Sequence, residues 1–200
     1  MKRALAGIVL AAALTVTGCS GNSGMTYGTS PTPAAGASVV AAHNTADVMF
    51  AQMMVVHHQQ AVDMAKLAPT RAGSPKVKDL AAKIGAEQGP EIQKMTEWLR
   101  AWGGAPMPMP SGAQGHGMGQ GSMPGMMTAA DMSRLEASRG AEFDRMFLTM
   151  MIRHHEGAVA MAKTELADAV NPDAKELAQS IVTTQTAEIA QMRKLRTTLG

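Results

Sequence analysis

Residues 50–65, FAQMMVVHHQQAVDMA, decide the fold, because their apolar and histidine side chains recur every three or four positions. This spacing predicts a helix that buries one face. Positions four apart lie on the same side of a helix, so Met53 lies one turn before His57, and Met54 one turn before His58. The stretch therefore predicts a buried helical face on which histidines follow methionines.

The same pattern recurs 97 residues later as FLTMMIRHHEGAVAMA, residues 147–162. The register continues without a gap into the next segment, where Pro75 matches Pro172 and Met95 matches Met192. Chance does not hold one ungapped register through this many identities. The sequence therefore indicates an internal duplication.

Each copy of the repeat is predicted to form a helical hairpin. The first helix is expected to end near Ala68, because Pro69 disfavours helical geometry before it. Ser74-Pro75 and Asn171-Pro172 have the pattern of an N-cap followed by a first-turn proline, and each opens a second helix. Two hairpins with one apolar face each predict an all-α protein, a four-helix bundle built from two tandem helical hairpins.

The chain divides into segments of different composition. A Gly-, Ser- and Pro-rich stretch separates the N-terminus from the first repeat, and an uncharged Gly-, Pro- and Met-rich stretch separates the repeats. Thr128, with Asp131 three residues on, predicts a short extra helix before the second repeat. We expect a lipoprotein signal peptide (1–18), a flexible tether (19–43), hairpin repeat 1 (44–102), a linker (103–127), and the short helix with hairpin repeat 2 (128–200).

The N-terminus has the pattern of an export signal. Lys2 and Arg3 precede the apolar residues 4–16, which are too few to span a membrane as a mature helix. The following Val-Thr-Gly-Cys19 resembles the bacterial lipobox, which predicts cleavage before Cys19 and lipid attachment to it. The alternative is a signal peptide with a chance cysteine. We expect a cell-membrane lipoprotein on the extracytoplasmic face.

Charge excludes one class of partner. The chain has 18 basic and 16 acidic residues, and removing Lys2 and Arg3 with the signal leaves 16 of each. A formally neutral chain without a basic stripe offers no surface for nucleic acid. Cys19 is the only cysteine, so lipid attachment would leave no thiolate for a metal.

The paired histidines are the candidate metal ligands. One buried histidine is usually satisfied by a carboxylate or a backbone group, but burying four imidazoles among methionines without a purpose is costly. Thioether sulfur with imidazole nitrogen favours copper(I), or another soft metal such as silver, over zinc or magnesium. The candidate ligands are Met53, Met54, His57, His58, Met64, Met150, Met151, His154, His155 and Met161.

Polar residues on the second helix of each hairpin are expected at the level of the histidines. Antiparallel pairing about a loop near residue 71 places Gln88 and Glu91, and in the second copy Gln185 and Glu188, where they could orient an imidazole. A surface or capping role for these acids is the alternative. Asp47 and Asp144 are expected to cap helix starts.

The linker carries its own candidate ligands. Spaced methionines and one histidine could capture copper(I) loosely and pass it to the bundle; the alternative is a plain disordered connector. The residues are Met107, Met109, His116, Met118, Met123, Met126 and Met127.

The doubled motif, Phe50-x-x-Met-Met-x-x-His-His and Phe147-x-x-Met-Met-x-x-His-His, resembles the bacterial domain-of-unknown-function 305 family. The resemblance covers residues 44–199. It implies a ferritin-like fold, export, and signature positions at the paired histidines and neighbouring methionines. It also implies a link to copper, because some members are associated with copper binding and copper tolerance.

These patterns favour a metal-binding module over an enzyme: an extracytoplasmic copper chelator or buffer with two equivalent sites. A ferritin-like oxidoreductase with a dinuclear metal centre is the main rival, but neither histidine pair is preceded by the Glu-x-x-His spacing that such centres use. A structural or partner-binding bundle is the third reading. The sequence leaves open whether the hairpins pack within one chain or exchange between chains in a homodimer.

Overall fold

The computed structural model describes residues 42–105 and 123–199, and their regular structure is helical. The first hairpin is formed by α1 and α2, and the second by α4 and α5, with a short α3 between them. The helices are α1 (Thr45–Arg71), α2 (Pro75–Ala101), α3 (Ala129–Ala137), α4 (Gly140–Asp168) and α5 (Pro172–Leu199).

The two hairpins close into a four-helix bundle within one chain. Helix α1 packs along α2, α4 packs along α5, and α1 meets α4 at the seam between the hairpins. Helix α3 lies against α1 and α4. The prediction of an all-α four-helix bundle from two tandem hairpins is confirmed.

Local sequence signals set most helix ends. The Asn44 side chain accepts a hydrogen bond from the Asp47 N–H, and the Asp47 carboxylate accepts one from the Asn44 N–H. Thr128 and Asp131 form the same reciprocal cap on α3. These caps satisfy N–H groups that have no partner within the helix.

The expected end of α1 near Ala68 is wrong. The helix continues through Pro69 to Arg71, and the Ala72 N–H still donates to the Ala68 carbonyl at 2.9 Å. A proline in the last turn removes a single N–H bond, and packing against the other helices outweighs that local preference.

Two aspartates tie each hairpin to the loop of the other. The Asp144 carboxylate on α4 accepts hydrogen bonds from the N–H groups of Gly73 (3.1 Å) and Ser74 (2.8 Å) in the α1–α2 loop. Asp47 on α1 accepts from Asn171 (3.1 Å) and from Val170 (3.4 Å) in the α4–α5 loop. The sequence predicted that Asp144 caps a helix start. Its carboxylate instead binds the loop of the other hairpin and does not cap the start of α4.

The buried side chains form two apolar clusters with a polar layer between them along α1 and α4. One cluster takes α1 residues 50–55 and α4 residues 158–162; the other takes α1 residues 61–68 and α4 residues 143–152. The paired histidines occupy the gap in both helices. The duplication thus places like residues on opposite sides of one central layer.

Replacing Asp144 tests the bond between hairpins. We expect Asp144→Ala to lower the free energy of unfolding by about 2 kcal/mol, because two loop N–H groups lose a charged acceptor. Asp63→Ala is the matched control, since Asp63 forms a surface ion pair with Lys66 and should change stability by less than about 0.5 kcal/mol. Urea unfolding of both variants measures the difference, and equal stability of the two would contradict the assignment.

A buried carboxyl group lies beside the Asp47 cap. Glu165 on α4 is 2% exposed, and burial raises its pKa to about 8, with a further contribution from the neighbouring Asp47. The group is therefore protonated in the folded chain at neutral pH. Its stabilising contribution is complete below the unfolded pKa of 4.5 and is lost as the pH rises through 8.

The variant Glu165→Gln should remove this pH dependence, because glutamine resembles the protonated acid. We expect equal melting temperatures of variant and wild type at pH 4. At pH 8.5 the variant should be more stable by about 2 kcal/mol, less than the full pKa difference implies because the protein relaxes around a buried charge. Calorimetry across this range measures both, and parallel pH profiles would refute the raised pKa.

Candidate metal centre

Four imidazoles meet at the α1–α4 seam, and all four side chains are fully buried. The rings of His57 and His154 are in contact, with their centroids 3.7 Å apart and their planes tilted by 37°. The rings of His154 and His155 lie 6.4 Å apart. The two copies of the motif therefore form one continuous layer, which we call the histidine layer (His57, His58, His154 and His155).

A carboxylate on the neighbouring helix orients the outer histidine of each pair. His58 Nε2 lies 2.7 Å from Glu91 on α2, and His155 Nε2 lies 2.8 Å from Glu188 on α5. Burial raises the pKa of Glu188, but its bonds to His155 and Lys83 dominate and hold it at about 2. An ionised carboxylate only accepts, so His155 Nε2 carries the hydrogen and its Nδ1 keeps a free lone pair.

The inner histidines differ from each other. His57 Nε2 donates to the Pro124 carbonyl at 3.0 Å, which again leaves Nδ1 with the lone pair. Neither ring nitrogen of His154 has a partner in hydrogen-bonding geometry. Five ring nitrogens of the layer are thus buried without a partner: Nδ1 of His57, His58 and His155, and both nitrogens of His154.

Burial keeps three imidazoles of the layer, those of His57, His154 and His155, uncharged. It lowers the pKa of His57 to about 3, with a further lowering by His58. Burial also lowers the pKa of His154 well below its ordinary value, with the other imidazoles adding to the shift. Burial lowers the pKa of His155 too, although Glu188 opposes the effect. Neutral imidazoles are the form that binds metals, so no proton has to leave before a metal arrives.

The predicted methionine ligands lie along the same two helices. Met54, Met64 and Met151 are fully buried, Met150 and Met161 are 8% exposed, and Met53 is half-buried. They line the apolar clusters on either side of the histidine layer. Buried thioethers beside uncharged imidazoles are a donor set that suits copper.

A short segment, Met123–Met127, covers one side of the layer; the sequence predicted only a linker there. The Gln60 side chain donates to the Met127 carbonyl (3.0 Å) and accepts from its N–H (2.7 Å). On α4, Gly157 allows Pro124 to approach closely, since a Cβ there would overlap the Pro124 carbonyl group. Gln60 and Gly157 are equivalent positions of the repeat. The difference between these two residues was the sequence signal that could have indicated a segment packed on one side of the layer.

The structure describes part of the predicted capture segment. Met107, Met109, His116 and Met118 lie outside the described residues. Met126 and Met127 are buried in the body, where the Met127 sulfur accepts a hydrogen bond from Arg153 at 2.9 Å, and Met123 is half-buried. Cys19 also lies outside the described residues.

The two glutamines do not contact the imidazoles through hydrogen bonds. Gln88 and Gln185 are 2% and 3% exposed and line a pocket between α2 and α5, together with Glu91 and Glu188. Within residues 42–105 and 123–199, no three His, Cys, Asp or Glu side chains are already arranged to hold a metal ion. No helix in these two ranges is long and apolar enough to cross a membrane.

A four-helix bundle with a buried layer of four imidazoles defines the class: a helical protein with a candidate metal centre in its core. The model of the DUF305 family, a domain of unknown function, matches residues 47–196. The chain belongs to this family. No curated protein matches the sequence significantly.

Three solved structures show the likeness in detail. A DUF305 protein from Streptomyces coelicolor is 34% identical, with a TM-score of 0.67 and coverage of 78% of this chain and 94% of that chain. CopM in its Cu(I)-bound form is 32% identical, with a TM-score of 0.62 and coverage of 76% and 96%. CopM in its Cu(II)-bound form is 35% identical, with a TM-score of 0.64 and coverage of 77% and 97%.

Closing the space at Gly157 tests the Met123–Met127 cover. We expect Gly157→Ala to displace this segment and to destabilise the fold by about 1–3 kcal/mol, because the new methyl group overlaps the Pro124 backbone. Gly85→Ala in α2 is the control: a Cβ there meets nothing within 4 Å, so stability should rise by about 0.5–1 kcal/mol. Hydrogen exchange should accelerate at Met126 and Met127 in the first variant alone, and unchanged exchange there would rule out the close approach.

Proposed function

We propose that this protein binds copper in its histidine layer on the extracytoplasmic side of the membrane, as a chelator or buffer in copper homeostasis or tolerance. Copper is the cargo in this proposal, held as copper(I) or exchanged with another soft metal. The observation that carries the proposal is the set of five unpartnered ring nitrogens buried between methionine-lined clusters.

The free-energy cost of burying unpartnered ring nitrogens supports the binding of a ligand in the histidine layer. A buried polar group without a partner costs about 1–3 kcal/mol, and the layer contains several. A metal ion bound to Nδ1 lone pairs would remove that cost without disturbing the Nε2–H bonds to Glu91, Glu188 and Pro124. Such bonds also fix the ring orientation and raise the basicity of the metal-binding nitrogen.

The donor chemistry supports copper. Imidazole alone suits zinc, copper, iron or nickel, whereas thioether sulfur selects copper(I). The methionine-lined clusters on either side of the histidine layer can supply this sulfur. Relatives of similar fold include CopM, which has been solved with Cu(I), Cu(II) and silver.

The contact between the two copies of the motif bears on whether the two predicted copper sites are independent. The sequence predicted two equivalent sites, but His57 and His154 lie in contact at 3.7 Å between ring centroids. We infer that copper binding at one copy alters the imidazoles of the other, so the sites are coupled. Removing the inner pair should weaken all binding in the layer.

The proposed location rests on two supports. The Streptomyces coelicolor relative is designated a secreted protein. The N-terminal sequence ends its apolar stretch at Cys19 in a lipobox-like pattern, which supports a lipid anchor there. A bundle tethered in this way would meet copper before the metal reaches the cytoplasm.

The rival oxidoreductase requires carboxylates that converge on paired metals. In the structure Glu91 and Glu188 each bind a different imidazole through Nε2, on opposite hairpins. This use of the acids favours the copper proposal over a carboxylate-rich dinuclear iron centre. Oxygen consumption by the iron-loaded protein would reverse that preference.

Competition titration with copper(I) tests the proposal. We expect the wild-type chain to bind with a dissociation constant below about 1 µM, and the variant His57→Leu/His154→Leu to bind at least about 100-fold more weakly. Leucine should preserve folding, because the double substitution removes three unpartnered ring nitrogens and loses one hydrogen bond, from His57 to the Pro124 carbonyl. Circular dichroism verifies the fold.

The matched control is Gln59→Leu/Gln179→Leu, which changes two glutamines that bond to residues on their own helices and should keep wild-type affinity. Equal affinity of the two double variants, or no wild-type binding tighter than micromolar, would sink the proposal. It would leave a structural or partner-binding bundle as the remaining reading.

A further inference from the structure

A polar pocket of about 260 Å³ lies between α2 and α5, on the outer side of the histidine layer. Two glutamines and three glutamates line it, with the hydroxyl groups of Ser180 and Thr184. The five are Glu87, Gln88, Glu91, Gln185 and Glu188. We call it the α2–α5 pocket.

The pocket carries an excess of negative charge. Lys83 is the cation near it, and its ammonium group lies 2.9 Å from Glu87 and 2.8 Å from Glu188. Two carboxylates therefore share one lysine, and among the described residues Glu91 pairs with His58 and with no lysine. One Glu91 oxygen accepts from His58, which leaves its second oxygen for another ligand.

The glutamines point to a missing ligand. Neither Nε2 nor Oε1 of Gln88 has a hydrogen-bond partner, and Gln185 Oε1 also has none, although both side chains are at least 97% buried. Buried amides are normally paired, because each unpaired group costs about 1–3 kcal/mol. Equivalent positions of the repeat thus present two unsatisfied amide oxygens to one acidic pocket.

We propose that the α2–α5 pocket is a second metal site, which binds a hydrated divalent cation through oxygen donors. The ligands are the amide oxygens of Gln88 and Gln185 and the free carboxylate oxygen of Glu91, and water completes the coordination. This site goes beyond the proposed copper function, because its donors are hard where those of the histidine layer are soft.

The size of the pocket agrees with a hydrated ion. Its volume of about 260 Å³ is far larger than that of a bare cation. It has space for an ion together with several waters. No sulfur or imidazole nitrogen belongs to its lining, so a thiophilic ion would find no preferred donor there.

The two halves of the pocket are not equivalent, and this directs the cation to one side. Lys83 and Glu87 of the first repeat correspond to Ser180 and Thr184 of the second. The ammonium group of Lys83 already neutralises the side of Glu188. The Glu91 side has no internal cation, and the metal binds there.

Manganese(II) is the probe, because it prefers carboxylate, carbonyl and water oxygens and its free ion has a measurable electron paramagnetic resonance signal. The chelator-treated full chain should reduce that signal saturably with one ion per chain. In Gln88→Leu/Gln185→Leu the affinity should fall at least tenfold. The control Gln59→Leu/Gln179→Leu, which changes glutamines that bond to residues on their own helices, should bind as the wild type does.

A thermal measurement separates ligand binding from packing. Without metal, Gln88→Leu/Gln185→Leu should melt no lower than the wild type, because unpaired amides are removed. Manganese should raise the melting temperature of the wild type and not that of this variant. Equal manganese binding by the two glutamine variants, or no saturable binding by the wild type, would overturn the second site.

The histidine variant keeps the two sites distinguishable. His57→Leu/His154→Leu should lose copper(I) affinity and retain manganese binding, whereas Gln88→Leu/Gln185→Leu should retain copper(I) affinity within about threefold. Loss of manganese binding in the histidine variant would show that the ion sits in the histidine layer and would refute a separate oxygen site.

Discussion

The rest of the structure depends on one constraint: four imidazoles are buried where α1 crosses α4. Three of the four rings find a hydrogen-bond partner, and these partners come from outside the two central helices, whereas His154 has none. Glu91 on α2 and Glu188 on α5 serve the outer histidines, and the Pro124 carbonyl serves His57. The outer helices and the Met123–Met127 segment are thereby fixed relative to the seam. The apolar clusters above and below exclude water from it.

The duplication explains why four histidines form one layer, and differences between the two repeats explain why His57 and His154 are bonded differently. An exact repeat would treat both faces of the seam alike. Gln60 instead holds the backbone of Met127, while its counterpart Gly157 leaves space for Pro124. His57 is consequently bonded on the covered side, and His154 keeps both nitrogens free. The least restrained imidazole of the layer is therefore His154, since neither of its ring nitrogens has a partner.

The helical hairpins could be predicted from the sequence, but the contacts between the two hairpins could not. Spacing of apolar residues, the repeat register and Ser74-Pro75 were enough for the helices and the bundle, because these are local or periodic signals. The end of α1 was mispredicted, because packing outweighed the local effect of Pro69. The bonds from Asp144 to the other hairpin and the raised pKa of Glu165 depend on which loop contacts which helix. The spacing of residues in the sequence does not predict those contacts. The histidines were found from pattern, but their contact across the seam required coordinates.

The hydrogen bond between His58 and Glu91 joins two kinds of metal chemistry. On one side of it, imidazole nitrogen and methionine sulfur suit a soft ion; on the other, the α2–α5 pocket presents only oxygen. A cation bound to Glu91 would draw negative charge from the carboxylate and weaken its bond to His58 Nε2–H. A metal on His58 Nδ1 would polarise the ring and strengthen the same bond. The two proposed sites would therefore compete for one carboxylate, and by linkage each would lower the affinity of the other by the same factor.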